Sequence, residues 1–341
     1  MRSLVDPAAA AGFLVLGEMR PVSEALHPVS LELTGKAREL ADRRAAGGGC
    51  GTVTALVLAG DRLPDPNALI AAGADRVLLA QAPAFEAYDA AAQARALAWT
   101  VEREKPEVVL AGATTNGRSV LPAAAARLRT GLTADCTGLD LDPETGGLLQ
   151  TRPAIGGNVM ATIRTSAHRP QMATVRPRNF PLPAPDPNRR GTVRILDLPE
   201  EARAGSVCPR AFRRAAAGRG IEEEDVLVSG GKGLRRPEGF ALLRELARAL
   251  GGGVGASRAA VEARWIEYPH QVGLSGRVVS PKLYVAAGIS GAVQHLAGMQ
   301  TAGTIVAVNK DPEAPIFRVA DLGLCGDLYD LIPRILRRLE E

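Results

Sequence analysis

Asp225-Val-Leu-Val-Ser-Gly-Gly-Lys-Gly233 is the stretch on which the fold turns. Val226–Val228 reads as a short buried strand. Ser229-Gly230-Gly231-Lys232-Gly233 breaks it with small and hydrogen-bonding residues. Pro237 then sits where a helix starts. Phe240, Leu243, Leu246 and Leu250 recur at three- and four-residue spacing, one face of a helix. Gly251-Gly252-Gly253 ends it. The same unit repeats downstream. Val254–Ala256 runs into Ser257-Arg258, and Leu283–Ala286 runs into Gly288-Ile-Ser290-Gly291 and a helix over 292–297. Thr304–Val308 runs into Asn309-Lys-Asp-Pro312, and a last helix follows over Asp327–Leu339. Such alternation predicts a parallel sheet with helices on both faces.

Upstream the alternation is similar. Gly12–Leu16, Thr52–Leu58, Arg76–Leu79 and Val108–Ala111 read as strands. Ser30–Ala45, Ala84–Glu104 and Arg118–Leu128 read as helices. The pattern then changes. Asp140–Pro143, Gly146-Gly147 and Gly156-Gly157 punctuate short strands such as Val159–Arg164 and Met172–Val175, which reads as an antiparallel extension. Pro181, Pro183, Pro185 and Pro187 exclude a helix or a central strand, so this run is the linker candidate. A strand at Val193–Leu196 and a basic connector with Arg203, Arg210, Arg213, Arg214 and Arg219 come next. The expected organisation is α/β throughout: an N-terminal parallel-sheet domain over 1–190, a connector over 191–224 and a doubly wound domain over 225–341.

Composition narrows the function classes. Apolar residues make up 46% of the chain, enough for packed cores. The net charge of +4 is mild and aromatics are 4%, so a nucleic-acid surface is not expected. Cys50, Cys136, Cys208 and Cys325 lie far apart, and His27, His168, His270 and His295 form no zinc pattern, so no metal site is expected. Free thiols in a reducing compartment are the simplest account. No apolar run reaches bilayer length. Ala8–Gly17 has Asp6 before it and no small-residue cleavage site after it, so Phe13–Leu16 reads as a buried strand and not a signal core. The expectation is a soluble cytoplasmic protein with no membrane insertion.

In an open α/β sheet, ligands bind beyond the carboxyl ends of the strands. Ser229, Gly230, Gly231, Ser257, Arg258, Gly288, Ser290, Gly291 and Asn309 would therefore ring one crevice. Glycines let backbone N–H groups approach a phosphate, which suits an extended ligand with a central pyrophosphate. The spacing equally allows plain tight turns. No G-x-G-x-x-G is present, and Gly231-Lys232 is followed by Gly233, so there is no Walker A sequence.

The residues themselves go further. Val254-Gly-Ala-Ser257-Arg258-Ala-Ala-Val261, Gln271-Val-Gly273-Leu-Ser-Gly276-Arg-Val, Leu283-Tyr-Val-Ala-Ala-Gly288-Ile-Ser-Gly-Ala-Val-Gln-His295-Leu-Ala-Gly298 and Ile305-Val-Ala-Val-Asn309-Lys-Asp-Pro-Glu-Ala-Pro-Ile-Phe317 resemble, in order and spacing, the signature blocks of electron transfer flavoprotein α subunits. Pro28-Val-Ser-Leu-Glu-Leu33, Gly131-Leu-Thr-Ala-Asp-Cys-Thr137, Thr151-Arg-Pro-Ala-Ile-Gly-Gly-Asn158 and Met172-Ala-Thr-Val-Arg-Pro177 resemble the N-terminal domain of that family. The resemblance implies a nucleotide-binding-like N-terminal domain that holds no nucleotide and packs on a β subunit. It also implies a C-terminal domain that holds FAD.

By the same resemblance, Ser257 contacts FAD, Arg258 lies near the isoalloxazine ring, and His295 lies near its pyrimidine end. Gln294 lies by the ribityl chain, Ser290 and Gly291 by the phosphates, and Asn309 and Asp327 at the adenosine end. Lys232, Val272, Gly273, Leu274, Ser275, Gly288, Ala292, Val293 and Leu328 complete the implied cofactor-binding set. Positive charge and donors around the ring would favour the added electron of a one-electron carrier. Plainer readings stand beside these: an exposed Arg258, a structural His295, and Asp327 as a helix cap. Three positions depart from the usual family residue: Ser275 stands for Thr, Leu274 for Gln and Lys232 for Arg. The last keeps the charge and loses the bidentate fork.

The implied role is electron carriage without catalytic residues. A dehydrogenase, typically an acyl-CoA dehydrogenase, would supply electrons, and a quinone oxidoreductase or similar acceptor would take them. A second reading is the α subunit of an electron-bifurcating, NADH-oxidising complex. A third, a hydrolase using Ser275 or Ser290, lacks G-x-S-x-G and an evident His–Asp pairing.

Overall fold

The computed structural model describes residues 5–20, 25–86, 89–154, 159–208, 210–211 and 220–340. Gly156, Gly157 and Asn158, and Arg213, Arg214 and Arg219 of the basic connector, lie outside the described residues. The chain divides into two compact units, 1–153 with 160–212, and 154–159 with 213–341.

The first unit follows the alternation read from its apolar runs: β1 (Phe13–Gly17), α1 (Pro28–Ala46), β2 (Val53–Ala59), α2 (Asn67–Ala71), β3 (Arg76–Gln81), α3 (Ala90–Glu104), β4 (Val108–Gly112) and α4 (Gly117–Leu128). β1, β2 and β4 are buried along their whole length, as strands covered on both faces must be. Two of these helices start where the sequence supplies a cap. His27 accepts from the Val29 N–H ahead of Pro28, and Asp89 accepts from the Ala92 N–H at the start of α3.

β5 (Leu132–Cys136), β6 (Gly138–Leu141), β7 (Leu148–Pro153), β8 (Met160–Arg164), β9 (Gln171–Val175), β10 (Thr192–Leu196) and the short α5 (Glu200–Arg203) complete this unit. Its main sheet has the order β10-β3-β2-β1-β4-β9-β5, all parallel. β6, β7 and β8 form a separate antiparallel sheet.

Three details differ from the sequence expectation. Met172–Val175 is not part of the antiparallel extension: β9 pairs parallel with β4, and the three-stranded excursion is inserted before it. Val193–Leu196 is not connector: β10 pairs parallel with β3 at the sheet edge. The proline run does not separate the units either. It lies along the first one, with Pro183 against Gly35 of α1 and the Asp186 N–H donating to the Ala71 carbonyl at 3.0 Å.

The second unit contains β11 (Val226–Gly230), α6 (Gly239–Ala249), β12 (Gly253–Ala256), α7 (Arg258–Glu262), β13 (Leu283–Ala287), α8 (Val293–Leu296), β14 (Thr304–Asn309), β15 (Leu322–Cys325) and α9 (Leu328–Glu340). Its sheet is parallel with the order β12-β11-β13-β14-β15. The strand order reverses between β11 and β13, the switch point of a doubly wound sheet. Phe240, Leu243 and Leu246 of α6 and Ile332 and Leu336 of α9 cover one face. Val272, Val279, Tyr284, Met299 and Ile316 lie in the cluster on the other. Each such buried side chain contributes about 1.5–3 kcal/mol. β15 is a fifth strand that the sequence reading does not contain.

Candidate functional site at the carboxyl edge of the second sheet

The strand ends of the second unit are tied to one another by backbone hydrogen bonds. Ser257 N–H donates to Gly230 O at 2.9 Å, joining the ends of β12 and β11. Gly231 N–H donates to Ala287 O at 3.0 Å and Gly233 N–H to Gly288 O at 2.9 Å, joining β11 to β13. Gly288 N–H donates to Val308 O at 2.8 Å, and Gly326 N–H to Asn309 O at 3.0 Å. The expected site residues therefore share one edge of one sheet.

Two glycines are required by this packing. A Cβ on Gly231 would sit 2.3 Å from Gly288 O. Gly291 has φ +89 and a Cβ there would meet Ile316 N at 2.4 Å. These glycines bring protein backbone against protein backbone, so the tight-turn reading accounts for part of the glycine pattern.

The Val272–Gly276 turn is laid over the segment that starts α8. Gly273 has φ +140, and its Cβ would lie 2.9 Å from Gln294 O. Leu274 N–H donates to that same Gln294 oxygen at 2.9 Å. The Leu274 side chain is 61% exposed, and Val293 is also exposed. Ser275 Oγ accepts from the buried Gln271 amide at 3.1 Å, and Tyr268 donates to the Ser275 carbonyl at 2.9 Å. Ser290, Ala292 and Gln294 are exposed on the same edge.

The charged positions are held by near neighbours. Arg258 is exposed and pairs with Glu262 one helical turn on, at 2.7 Å. Lys232 places its ammonium 4.4 Å from the centre of the Trp265 ring, a cation–π contact that lodges its charge on the indole. Asn309 bridges two loops: its Nδ2 donates to Ile289 O at 2.9 Å and its Oδ1 accepts from Asp311 N–H at 3.0 Å. Asp327 accepts from Tyr329 N–H at 2.9 Å and thereby caps α9, with Arg235 at 3.4 Å from its other oxygen. Leu328 is buried against Gly288, where a Cβ would touch it at 3.1 Å.

His295 is 6% exposed, and its Nε2 lies 2.9 Å from the hydroxyl of the fully buried Tyr284. Burial lowers the imidazole to about 4, with the Val272 backbone working weakly the other way. At neutral pH this histidine is uncharged. Burial also pushes the Tyr284 hydroxyl above its ordinary value. Ser229 Oγ faces the Tyr284 hydroxyl and the His295 ring faces the Val272 backbone, whereas the buried Ser257 Oγ has no partner among the described residues. Buried polar groups are normally satisfied, so the Ser257 hydroxyl at a strand-end crevice points to a ligand.

Residues 18–201 match the electron transfer flavoprotein domain, and residues 220–300 match the electron transfer flavoprotein FAD-binding domain. The chain is 47% identical over 315 residues to the electron transfer flavoprotein subunit alpha of Thermoanaerobacterium thermosaccharolyticum, covering 92% of this chain and 93% of that one. It is 42% identical over 341 residues to the electron transfer flavoprotein subunit alpha of Megasphaera elsdenii, covering 99% and 98%. It is 40% identical over 315 residues to the lactate dehydrogenase (NAD(+),ferredoxin) subunit LctC of Acetobacterium woodii, covering 92% and 74%.

The chain belongs to the electron transfer flavoprotein α-subunit family.

It is thus an electron-transfer subunit of a flavoprotein and not a catalyst with its own nucleophile, and its cofactor is FAD. The residues present fit that group. The unsatisfied hydroxyl of Ser257 lies at an edge where Ser290, Ala292, Val293 and Gln294 stand exposed. Among the described residues no group of three or more His, Cys, Asp or Glu could hold a metal ion. No helix among them is long and apolar enough to cross a membrane.

The sequence reading missed Trp265, Gln271 and Tyr284, each of which contacts a residue of the expected set. A tyrosine inside the otherwise aliphatic strand Leu283–Ala287 was the available signal, because a buried phenol needs a partner.

Proposed function

We propose that FAD lies along the carboxyl edge of the second sheet, with its ring by Arg258, Ser275 and His295 and its adenosine by Asn309 and Asp327. Lys232, Ser257, Val272, Gly273, Leu274, Gly288, Ser290, Gly291, Ala292, Val293, Gln294 and Leu328 line the path. The observation that carries this reading is the buried, partnerless Ser257 hydroxyl at the start of α7, within a segment that matches the family's FAD-binding domain. FAD supplies a ring that accepts and releases electrons. The protein supplies binding and electrostatics. Arg258 brings the positive charge, since its guanidinium is exposed and, among the described residues, is paired with Glu262 on the same short helix. His295 brings a neutral imidazole. Lys232 contributes less charge to the ring than its formal sign suggests, because it sits on Trp265. Leu274 presents an apolar side chain at the mouth.

The chain then acts in the cytoplasm as one half of a heterodimer with an electron transfer flavoprotein β subunit. It takes electrons from a dehydrogenase, typically an acyl-CoA dehydrogenase, and passes them to a quinone oxidoreductase or similar acceptor. The likeness to the LctC subunit of a lactate dehydrogenase that uses NAD(+) and ferredoxin supports a second reading, the α subunit of a bifurcating complex. Co-expression with an electron transfer flavoprotein β subunit separates the two. One FAD per heterodimer and no oxidation of NADH is the expected result. Two FAD with NADH oxidation favours bifurcation, and a complex without flavin contradicts both.

A further inference from the structure

We infer that Tyr268 is a positioning residue for Ser275, strapping the carbonyl of that residue so that its side chain stays at the strand-end crevice. The inference rests on the reading that places Ser275 by the flavin ring.

Four backbone hydrogen bonds shape the turn that carries Ser275. Gly273 N–H donates to Arg277 O at 3.1 Å, and Gly276 N–H to Gly273 O at 3.0 Å. Arg277 N–H donates to Gln271 O at 2.7 Å, and Leu274 N–H to Gln294 O at 2.9 Å. Ser275 stands at the apex, and among the described residues its own N–H and carbonyl join no backbone–backbone bond. The carbonyl accepts instead from the Tyr268 hydroxyl at 2.9 Å. A carbonyl can only accept, so the phenol is the donor and the direction of this bond is fixed.

The other end of the strap is anchored. Tyr268–His270 forms a single 3-10 turn with Pro269 at its centre. His270 N–H donates to Glu267 O at 3.1 Å, and Gln271 N–H to Tyr268 O at 2.9 Å. His270 Nδ1 lies 2.7 Å from the Val254 carbonyl, to which it donates, and this ties the turn to β12. Tyr268 thus reaches from a base fixed on the sheet to the apex of the next turn. It is 58% exposed, so what the position offers is the hydroxyl more than burial. The buried Gln271 amide meets the Ser275 hydroxyl at 3.1 Å, so one contact holds the backbone of Ser275 and the other its side chain. Without the phenol hydroxyl the apex is untethered, and Ser275 spends part of its time away from the crevice.

The test uses the complex with the β subunit and the variant Tyr268→Phe, which removes one exposed hydroxyl. In the flavin-stripped complex, hydrogen exchange at the Leu274 and Gly276 amides should speed up about fivefold, the scale of one lost hydrogen bond. Unchanged exchange would overturn the strap, whatever the flavin does. In the FAD-loaded complex, a donor near the ring favours the reduced flavin. Ser275→Ala should therefore make the reduction potential more negative, and Tyr268→Phe should give part of that shift. Tyr268→Phe should add nothing in the Ser275→Ala background. An equal shift in both backgrounds would overturn the inference, because Tyr268 would not act through Ser275. So would an unmoved potential in Tyr268→Phe where Ser275→Ala shifts it. Faster exchange in Tyr268→Phe with a potential that Ser275→Ala leaves unchanged would instead overturn the placement of Ser275 by the ring. The two failures are thereby distinguishable.

Discussion

The two parallel sheets of this chain each have a switch point, and the two are finished in opposite ways. In the first sheet the reversal falls between β1 and β4. There Glu18, the residue after β1, accepts from the Thr114 hydroxyl at 2.5 Å. Thr114 in turn accepts from Gly117 N–H at the start of α4, and Ser30 of α1 accepts from Glu18 N–H at 2.8 Å. Val29 closes on Gly112, where a Cβ would have only 2.7 Å. The protein fills this crevice with its own carboxyl and hydroxyl groups. In the second sheet, the buried Ser257 hydroxyl is left without a partner among the described residues, and Ser290, Ala292, Val293 and Gln294 stand exposed. Glycines at strand ends occur in both sheets. At the first edge Glu18, Thr114 and Ser30 bond one another and Asn116 Oδ1 is left over, whereas at the second the unpartnered Ser257 hydroxyl stands on the same edge as the exposed Ser290, Ala292, Val293 and Gln294.

Changing Gly291 to Val should break the comparison most strongly. The left-handed backbone and the contact with Ile316 N cost on the order of 3 kcal/mol. The expected outcome, read from flavin extracted after purification, is a complex depleted of FAD.

Acidification should sharpen it. The His295 imidazole sits at about 4 in the fold against 6.5 in the unfolded chain. The unfolded state therefore binds the extra proton first, and the second unit loses stability as pH falls from 6.5 toward 4. The loss between pH 7 and pH 5 is about 2 kcal/mol. Glu18 works the other way in the first unit, because burial raises its carboxyl despite the Thr114 bond, so its ionised form is the costly one and is relieved as pH falls. Trp99 and Trp265 lie one in each unit, so single-tryptophan variants followed in urea at both pH values report the units separately.

Thr114→Val removes the partner of the Glu18 carboxylate and should destabilise the first unit by about 1.5 kcal/mol at pH 7. FAD content should not change. A loss of FAD would mean that the first switch point also serves the cofactor. The smallest effect is expected at Asp327. Its alanine variant loses the α9 cap, about 1 kcal/mol by thermal denaturation, and asparagine restores it. A loss of FAD affinity that asparagine does not restore would show the carboxylate acting on the adenosine side as well.

Both sheets were legible in the sequence because buried parallel strands appear as largely apolar runs between turns, as in Val53–Ala59 and Leu283–Ala287. β15 was not, because Leu322–Cys325 is an edge strand with Leu322 exposed and carries no burial pattern. The pairing of β9 was hidden for another reason. Its neighbour β4 is separated from it by α4, β5 and a hairpin sheet, and proximity in the chain suggested the hairpin. Pro181 to Pro187 carries a linker composition, yet an extended proline segment can equally lie along a helix, as Pro183 does on Gly35. At the site, residue types and order marked the edge correctly as one surface of one sheet. They could not show that Lys232 rests on Trp265 or that His295 is uncharged, since both follow from contacts between segments distant in sequence.

Hydrogen–deuterium exchange on the flavin-stripped complex, with and without added FAD, tests the contrast between the two edges most directly. The account predicts slowed exchange at 229–233, 257–258, 272–276, 288–295 and 309, with no change at 18, 30 and 112–117. Protection that appears at the Glu18–Thr114 edge and not at the Ser257–His295 edge would contradict it.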